Sequence, residues 1–147
     1  LNAGRALPHP AGELILTPHP GEMSRLTGLS TSLLAADRGG AACRFAREWN
    51  AVVVLKGART VVAAPDGRVR VNPPGNPGLS RGGSGAVLAG MTAALRACRR
   101  PPDEAAACAV SLHGAAADRA AAVHGEYGML PHDILPELGR MFAEHQR

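Results

Sequence analysis

Apolar and polar positions follow two rhythms along this chain, one of strands and one of helices. Glu13 to Thr17 is a short apolar run that reads as a buried strand, ended by Pro18 and Pro20, which remove donors and hold the backbone extended. Gly21 to Leu26 restarts as a helix. From Gly40 to Trp49 the apolar residues Ala42, Phe45, Ala46 and Trp49 recur at i, i+3, i+4 and i+7, the spacing of one helix face. Ala51 to Leu55 is a continuous β-branched run, typical of a strand covered on both faces. A helix that delivers the chain into a fully buried strand predicts a parallel sheet with crossover helices.

Thr60 to Ala64 and Arg68 to Val71 flank Pro65-Asp66-Gly67, which predicts a β-hairpin at the sheet edge. Ser84 to Ala97 reads as a helix whose apolar face is Val87, Leu88, Met91, Ala94 and Leu95, stopped by Arg99-Arg100-Pro101-Pro102. Asp103 is the expected cap of an alanine-rich helix from Glu104 to about Leu112, with Asp118 to Val123 continuing beyond Gly114. Met129 to about Glu144 closes the chain as a helix with a kink or restart at Pro136. No internal repeat interrupts this order.

Composition narrows the function classes. A chain of 147 residues with no shift in composition makes one compact unit or a piece of one. The net charge of +4 permits nucleic-acid binding, but the arginines are scattered and aromatics are 3% of residues, too few for base stacking. A solvated basic surface that favours phosphorylated metabolites fits better. No apolar run approaches the length of a bilayer crossing and no charged-then-apolar leader is visible, so the expected compartment is the cytoplasm. Cys43, Cys98 and Cys108 are odd in number and lack Cys-x-x-Cys spacing, which argues against a disulfide framework and a zinc site; they are expected to pack as small apolar residues. His9, His113, His124, His132 and His145 show no ligand spacing, and no metal ligand set is expected.

Chemistry concentrates in a glycine-rich loop running from Asn76-Pro77-Gly78 through Gly82-Gly83-Ser84-Gly85 into the helix that begins at Ser84. Glycines let a ligand approach the backbone, and unpaired amides at a helix start attract phosphate or a developing oxyanion. Lys56-Gly57-Ala58-Arg59-Thr60 follows the buried strand, at the carboxyl end of the sheet, where open α/β sheets place ligands. Lys56 can meet phosphate as a point charge, while Thr60 and the Gly57 backbone can hydrogen-bond to phosphate or ribose. The plain alternative is a hairpin entry with an exposed lysine.

Gly75-Asn76-Pro77-Gly78, Gly82-Gly83-Ser84-Gly85, Leu16-Thr17-Pro18-His19-Pro20-Gly21-Glu22-Met23 and Val54-Leu55-Lys56-Gly57-Ala58-Arg59-Thr60 together resemble the ADP-dependent NAD(P)H-hydrate dehydratase family. Leu112-His113-Gly114-Ala115-Ala116-Ala117-Asp118 resembles its C-terminal His-Gly helix start, and Leu1-Asn2-Ala3 the tail of an upstream family segment. The resemblance implies an α/β, ribokinase-like three-layer sandwich with a mostly parallel sheet and a β-hairpin. Residues 1–147 would be the C-terminal half of that domain. Such a half would leave a strand edge and an apolar face exposed, so self-association into a homo-oligomer is expected.

By the same resemblance, Lys56, Gly57, Ala58, Arg59, Thr60 and Gly85 bind the nucleotide, Gly83, Ser84 and Gly85 form an anion hole, and His19 contacts the substrate. Glu22 reads as a helix-start carboxylate. The implied reaction is phosphorylation of the hydroxyl of hydrated NAD(P)H by ADP, or ATP in its place, with Mg2+, followed by loss of phosphate to give NAD(P)H and AMP. The family carries an aspartate as base after its Gly-Ser-Gly, and this chain has Ala86. Asp118 and Asp66 are the nearest replacements by residue type. The alternatives are a catalytically silent nucleotide-binding or oligomerisation module and a small-molecule kinase of the same superfamily.

Overall fold

The computed structural model describes residues 13–146. The readings of Leu1-Asn2-Ala3 and His9 lie outside them. The chain runs β1 (Ile15–Leu16), α1 (Pro20–Thr27), α2 (Thr31–Ala36), α3 (Arg38–Glu48), β2 (Val52–Leu55), β3 (Thr60–Ala63), β4 (Val69–Asn72), α4 (Ser84–Ala97), α5 (Pro102–His124) and α6 (Ile134–His145), with 3-10 turns at Pro77–Ser80 and Pro131–Asp133.

One sheet of order β1-β2-β3-β4 forms the middle layer. The parallel pair expected from the helix-then-strand order is β1 with β2, in register Ile15 to Val52. The other two pairings are antiparallel. The reason is connection length: Lys56 to Arg59 is four residues, enough for a reversal and far too short for a crossover of a dozen or more. The β3–β4 hairpin turns at Pro65-Asp66-Gly67, where Gly67 takes φ +93° and its amide donates to the Ala64 carbonyl at 3.0 Å.

Side-chain alternation along β2 and β3 divides the core. Val53, Leu55, Val61 and Ala63 pack on Met23, Leu34, Phe45 and Ala46 of α1–α3, while Val52, Val54 and Val62 pack on Leu88, Ala106, Ala109 and Val110 of α4 and α5. Helices therefore cover both faces, the three-layer arrangement. A third cluster joins Ala116, Ala117 and Ala120 of α5 to Met129 and Ile134.

Several local expectations change. β1 is two half-buried residues at the end of the described sheet, not a five-residue buried strand. On α4 the expected Val87, Leu88, Met91 and Leu95 pack against the core, but Ala94 is exposed, and Ser84 and Thr92 are buried as well. Thr92 turns inward because its hydroxyl donates to the Leu88 carbonyl at 2.8 Å, which satisfies it within the helix. Asp103 does not cap α5: it lies in the first turn, buried, with Oδ2 3.0 Å from both Arg68 Nη1 and Arg70 Nη1 of the hairpin. α5 runs unbroken through Gly114 for 23 residues. Pro136 makes no kink, because it falls in the first turn of α6, where the missing amide has no intrahelical partner to lose. Cys98 and Cys108 are exposed and Cys43 half-buried, so only the last packs as an apolar side chain. Among the described residues no helix is long and apolar enough to cross a membrane.

Candidate functional site

Because β1 and β2 run parallel, their carboxyl ends emerge side by side. The Lys56 amide donates to the Pro18 carbonyl at 2.9 Å, which fixes His19 beside the Lys56 loop. There the chain bounds a cavity of about 890 Å³, walled by the His19–Glu22 and Lys56–Thr60 corners, the Asn72–Ala86 stretch and one face of α5.

His19 is the N-cap of α1. Its Nδ1 accepts from the Glu22 amide at 3.2 Å, and its own amide donates to Glu22 Oε2 at 2.7 Å, a reciprocal capping box. Glu22 Oε2 also lies 3.7 Å from Lys56 Nζ. Burial pushes the Glu22 carboxyl up, but the His19 amide and the charges of Lys56 and His19 outweigh it, leaving its pKa below the ordinary carboxylate value. The helix-start role read from sequence holds for Glu22, and the salt link to Lys56 is added to it.

The Lys56–Thr60 corner is clamped from behind. Arg38 of α3 donates from Nη2 to the carbonyls of Leu55 at 2.9 Å and Lys56 at 3.1 Å. Its guanidinium passes where a Gly57 side chain would sit, 3.0 Å from the position of a Cβ, and Gly57 has φ +144°. Arg59 takes φ +56° to complete the reversal, and Thr60 Oγ1 donates to the Gly57 carbonyl at 3.1 Å.

Opposite stands the start of α4. Gly83 is its N-cap at φ +102°, with no side-chain cap. Among the described residues the amides of Gly82, Gly83 and Gly85 donate to no acceptor. A Cβ on Gly85 would lie 3.0 Å from Lys56 Nζ, so the glycine is what allows the ammonium to reach the helix start. Unpaired amides, the positive end of a 14-residue helix and a lysine converge on one spot, an arrangement that holds an anion such as phosphate.

All the sequence-predicted residues (His19, Lys56, Gly57, Ala58, Arg59, Thr60, Gly83, Ser84, Gly85 and Ala86) line this one cavity. The two replacement bases do not. Asp118 is engaged behind two lining residues, accepting from the Gly75 amide at 3.0 Å and Asn76 Nδ2 at 2.9 Å, and Asp66 sits at the hairpin turn paired with Arg68. Glu22 is the one carboxylate of the described lining. Among the described residues no group of three or more His, Cys, Asp or Glu could hold a metal ion. A divalent cation here would depend on oxygens of a bound phosphate.

Sequence reasoning missed the α5 wall. Asn72 Nδ2 donates to the Pro74 and Val110 carbonyls at 3.3 and 3.4 Å, and Ser111 Oγ donates to Asn72 Oδ1 at 2.7 Å. His113 and Gly114 complete the wall, and the His-Gly pair was the only signal for it. Burial pushes the His113 pKa below the ordinary imidazole value, with the Ser84 backbone opposing the shift and Lys56 adding to it. Below the unfolded value of 6.5 the unfolded chain therefore binds more protons at this position than the native one. The free energy of unfolding is expected to fall as pH drops from there toward the native His113 value and to level off beneath it. Urea titrations across that range check it, and His113→Gln should flatten the slope.

The family model for NAD(P)H-hydrate dehydratase matches residues 1–140. A bifunctional NAD(P)H-hydrate repair enzyme from Moorella thermoacetica is 50% identical over 131 residues, 89% of this chain and 25% of that protein. The ADP-dependent (S)-NAD(P)H-hydrate dehydratase of Bacillus subtilis is 42% identical over 147 residues, 95% of this chain and 52% of that protein. A crystal structure of the ADP/ATP-dependent NAD(P)H-hydrate dehydratase from Bacillus subtilis, co-crystallised with ATP/Mg2+, superposes with a TM-score of 0.90 at 39% identity, over 97% of this chain and 51% of that one. A ribokinase-like superfamily protein from Enterococcus faecalis gives a TM-score of 0.77 at 32% identity, over 88% of this chain and 44% of that one. The chain thus spans from a quarter to about half the length of these relatives, with the ribokinase-like fold in common. With its glycine loop and lysine corner meeting at one cavity and the family model matching from residue 1 to residue 140, the chain belongs to the NAD(P)H-hydrate dehydratase family.

Proposed function

We propose that this chain is the C-terminal part of a ribokinase-like domain that repairs hydrated NAD(P)H in the cytoplasm, with ADP as phosphoryl donor. The observation that carries the reading is the approach of Lys56 Nζ to Gly85, whose missing Cβ would sit 3.0 Å away, at the unpaired amides of α4. Those groups would hold the nucleotide phosphates, the Gly57–Thr60 corner would hold the rest of the nucleotide, and His19, beside the Lys56 loop, would meet the hydrated nicotinamide. Magnesium would ride on the phosphate oxygens and neutralise their charge. In the reaction a terminal phosphoryl group would pass from ADP to the ring hydroxyl, leaving AMP, as the hydroxyl proton goes to a base; phosphate would then leave with the electrons of its carbon–oxygen bond, and loss of a proton from the neighbouring ring carbon would give its C–H electrons to the restored ring double bond. Fixed donors around the transferred group supply most of what such a transfer needs.

Calorimetry with ADP tests the phosphate seat. Lys56→Gln should weaken ADP binding about tenfold, the loss of one charge-assisted contact. Unchanged affinity would remove Lys56 from the site, and no affinity for ADP in the unaltered protein would sink the reading.

A second reading, a nucleotide-binding module without turnover, is favoured by one observation. Ala86 is an exposed residue of the cavity lining with no proton acceptor, and neither Asp66 nor Asp118 faces the cavity. Self-association belongs to either reading, because Val69 and Val71 on edge strand β4 are exposed. A monodisperse monomer in light scattering would count against it.

A further inference from the structure

Two side-chain polar atoms in the cavity wall are buried with no hydrogen-bond partner among the described residues, His113 Nε2 and Ser84 Oγ. Ser84 is the first residue of α4 and is 4% exposed; His113 lies midway along α5 and is 6% exposed. Unpaired polar atoms at such depth are rare in native proteins and each calls for a reason. These two flank the same spot, behind the amides and the lysine that would seat a phosphate.

We propose that His113 is a proton-linked positioning residue of the anion site: an anion seated against Gly83–Gly85 and Lys56 draws one proton from solvent onto His113, which then ties the first turn of α4 to α5. The inference rests on the phosphate-seat reading above and deepens it.

The electrostatics run in one direction. In this structure burial and the Lys56 charge both disfavour an imidazolium, and the Ser84 backbone favours it. An anion beside Lys56 reverses the sign of that local field, and an opposite charge at close range raises a histidine pKa. The protonated ring is a donor at both nitrogens. The Ser84 backbone, which already favours the charged ring, is at hand to accept from it.

The other charges around the ring are already engaged. Glu22 of α1 pairs with Lys56, and Asp118, farther along α5, is spent on Gly75 and Asn76. Arg81, ahead of α4, donates to the Tyr127 carbonyl. α4 brings no charge in its first turn, and β4 brings the neutral Asn72. Asn72 is itself bound to α5 through Val110 and Ser111, so the proton would lock α4 onto a wall that is already rigid.

Sulfate is the probe, because its charge does not change in the neutral range and all proton uptake is then the protein's. Calorimetry on the intact protein in buffers of unlike ionisation enthalpy should show uptake of part of a proton on sulfate binding. The His113 ring resonances should titrate about one pH unit higher with sulfate present. By linkage, sulfate affinity should rise about tenfold as pH falls through the window between the two His113 values. His113→Gln should bind sulfate without uptake and with a flat pH profile.

Sulfate binding without uptake, or equal uptake in His113→Gln, overturns the proposal and leaves the phosphate seat standing. Failure of both sulfate and ADP to bind overturns the two together. If His113→Gln does not fold, the ring titration in the unaltered protein decides: an unmoved His113 resonance is a refutation.

Discussion

Replacing Ala86 by aspartate is expected to raise the rate at which NAD(P)H is recovered from its hydrate by about 10²- to 10⁴-fold, the usual worth of a positioned general base. Ala86 is the third residue of α4, exposed and on the cavity wall, one position past Gly85. A carboxylate there needs no space made for it. It would also sit in the first turn of a helix, where the macrodipole favours negative charge, so the substitution should leave the folded state intact.

The existing carboxylate of the lining, Glu22, is a poor substitute, since it accepts from the His19 amide, pairs with Lys56 and has a lowered pKa. Initial rates with ADP and magnesium, measured on the protein with Ala86 and on Ala86→Asp, make the comparison. Recovery that rises only with aspartate identifies Ala86 as the missing base. Equal rates in the two, with ADP affinity retained in both, would sink the assignment and favour the module without turnover.

What the sequence disclosed and what it hid divide along a physical line. The β2 strand, the hairpin and α4 were legible because each is specified locally: an uninterrupted β-branched run, a Pro-Asp-Gly turn, and glycines ahead of a periodic apolar stretch. The cavity corners were legible for the same reason, being short runs of glycine, proline and charge at the ends of those elements. Hidden were features made by residues far apart in sequence. Asp103 reads as a cap, yet two arginines of the hairpin hold it inside the first turn of α5. Asp118 reads as a stray acid, yet it anchors the Gly75-Asn76 bend across 43 residues of sequence. The α5 wall was hidden most, because its alanines carry weak periodicity and its partners lie in β4 and the glycine stretch.

That alanine-rich wall leads to the second large effect: Ile134→Ala is expected to cost about 2–5 kcal/mol of stability, the range for truncating a large buried aliphatic side chain. Ala116, Ala117 and Ala120 give α5 a shallow face, and Ile134 and Met129, both essentially inaccessible, are the large side chains that fill it. Helix α5 has no bulk of its own there to close over the void. On a chain of this length the loss should lower the melting temperature by on the order of 10 °C. Ile134→Val, which removes a single methyl group, should cost about 0.5–1.5 kcal/mol. An alanine variant no less stable than the valine variant would show that the cluster collapses freely or contributes little.

The same cluster also backs the glycine loop. Pro131 would lie 3.3 Å from a Cβ on Gly83, and the Met129 sulfur and the Glu126 carbonyl crowd Gly78. Loosening the Ile134 contact should therefore open the anion seat before the sheet unfolds, and ADP, if it needs the closed seat, should bind the variant more weakly and raise its melting temperature less. A shift with ADP smaller in Ile134→Ala than in Ile134→Val would couple the α6 contact to the site. Equal shifts would confine Ile134 to global stability.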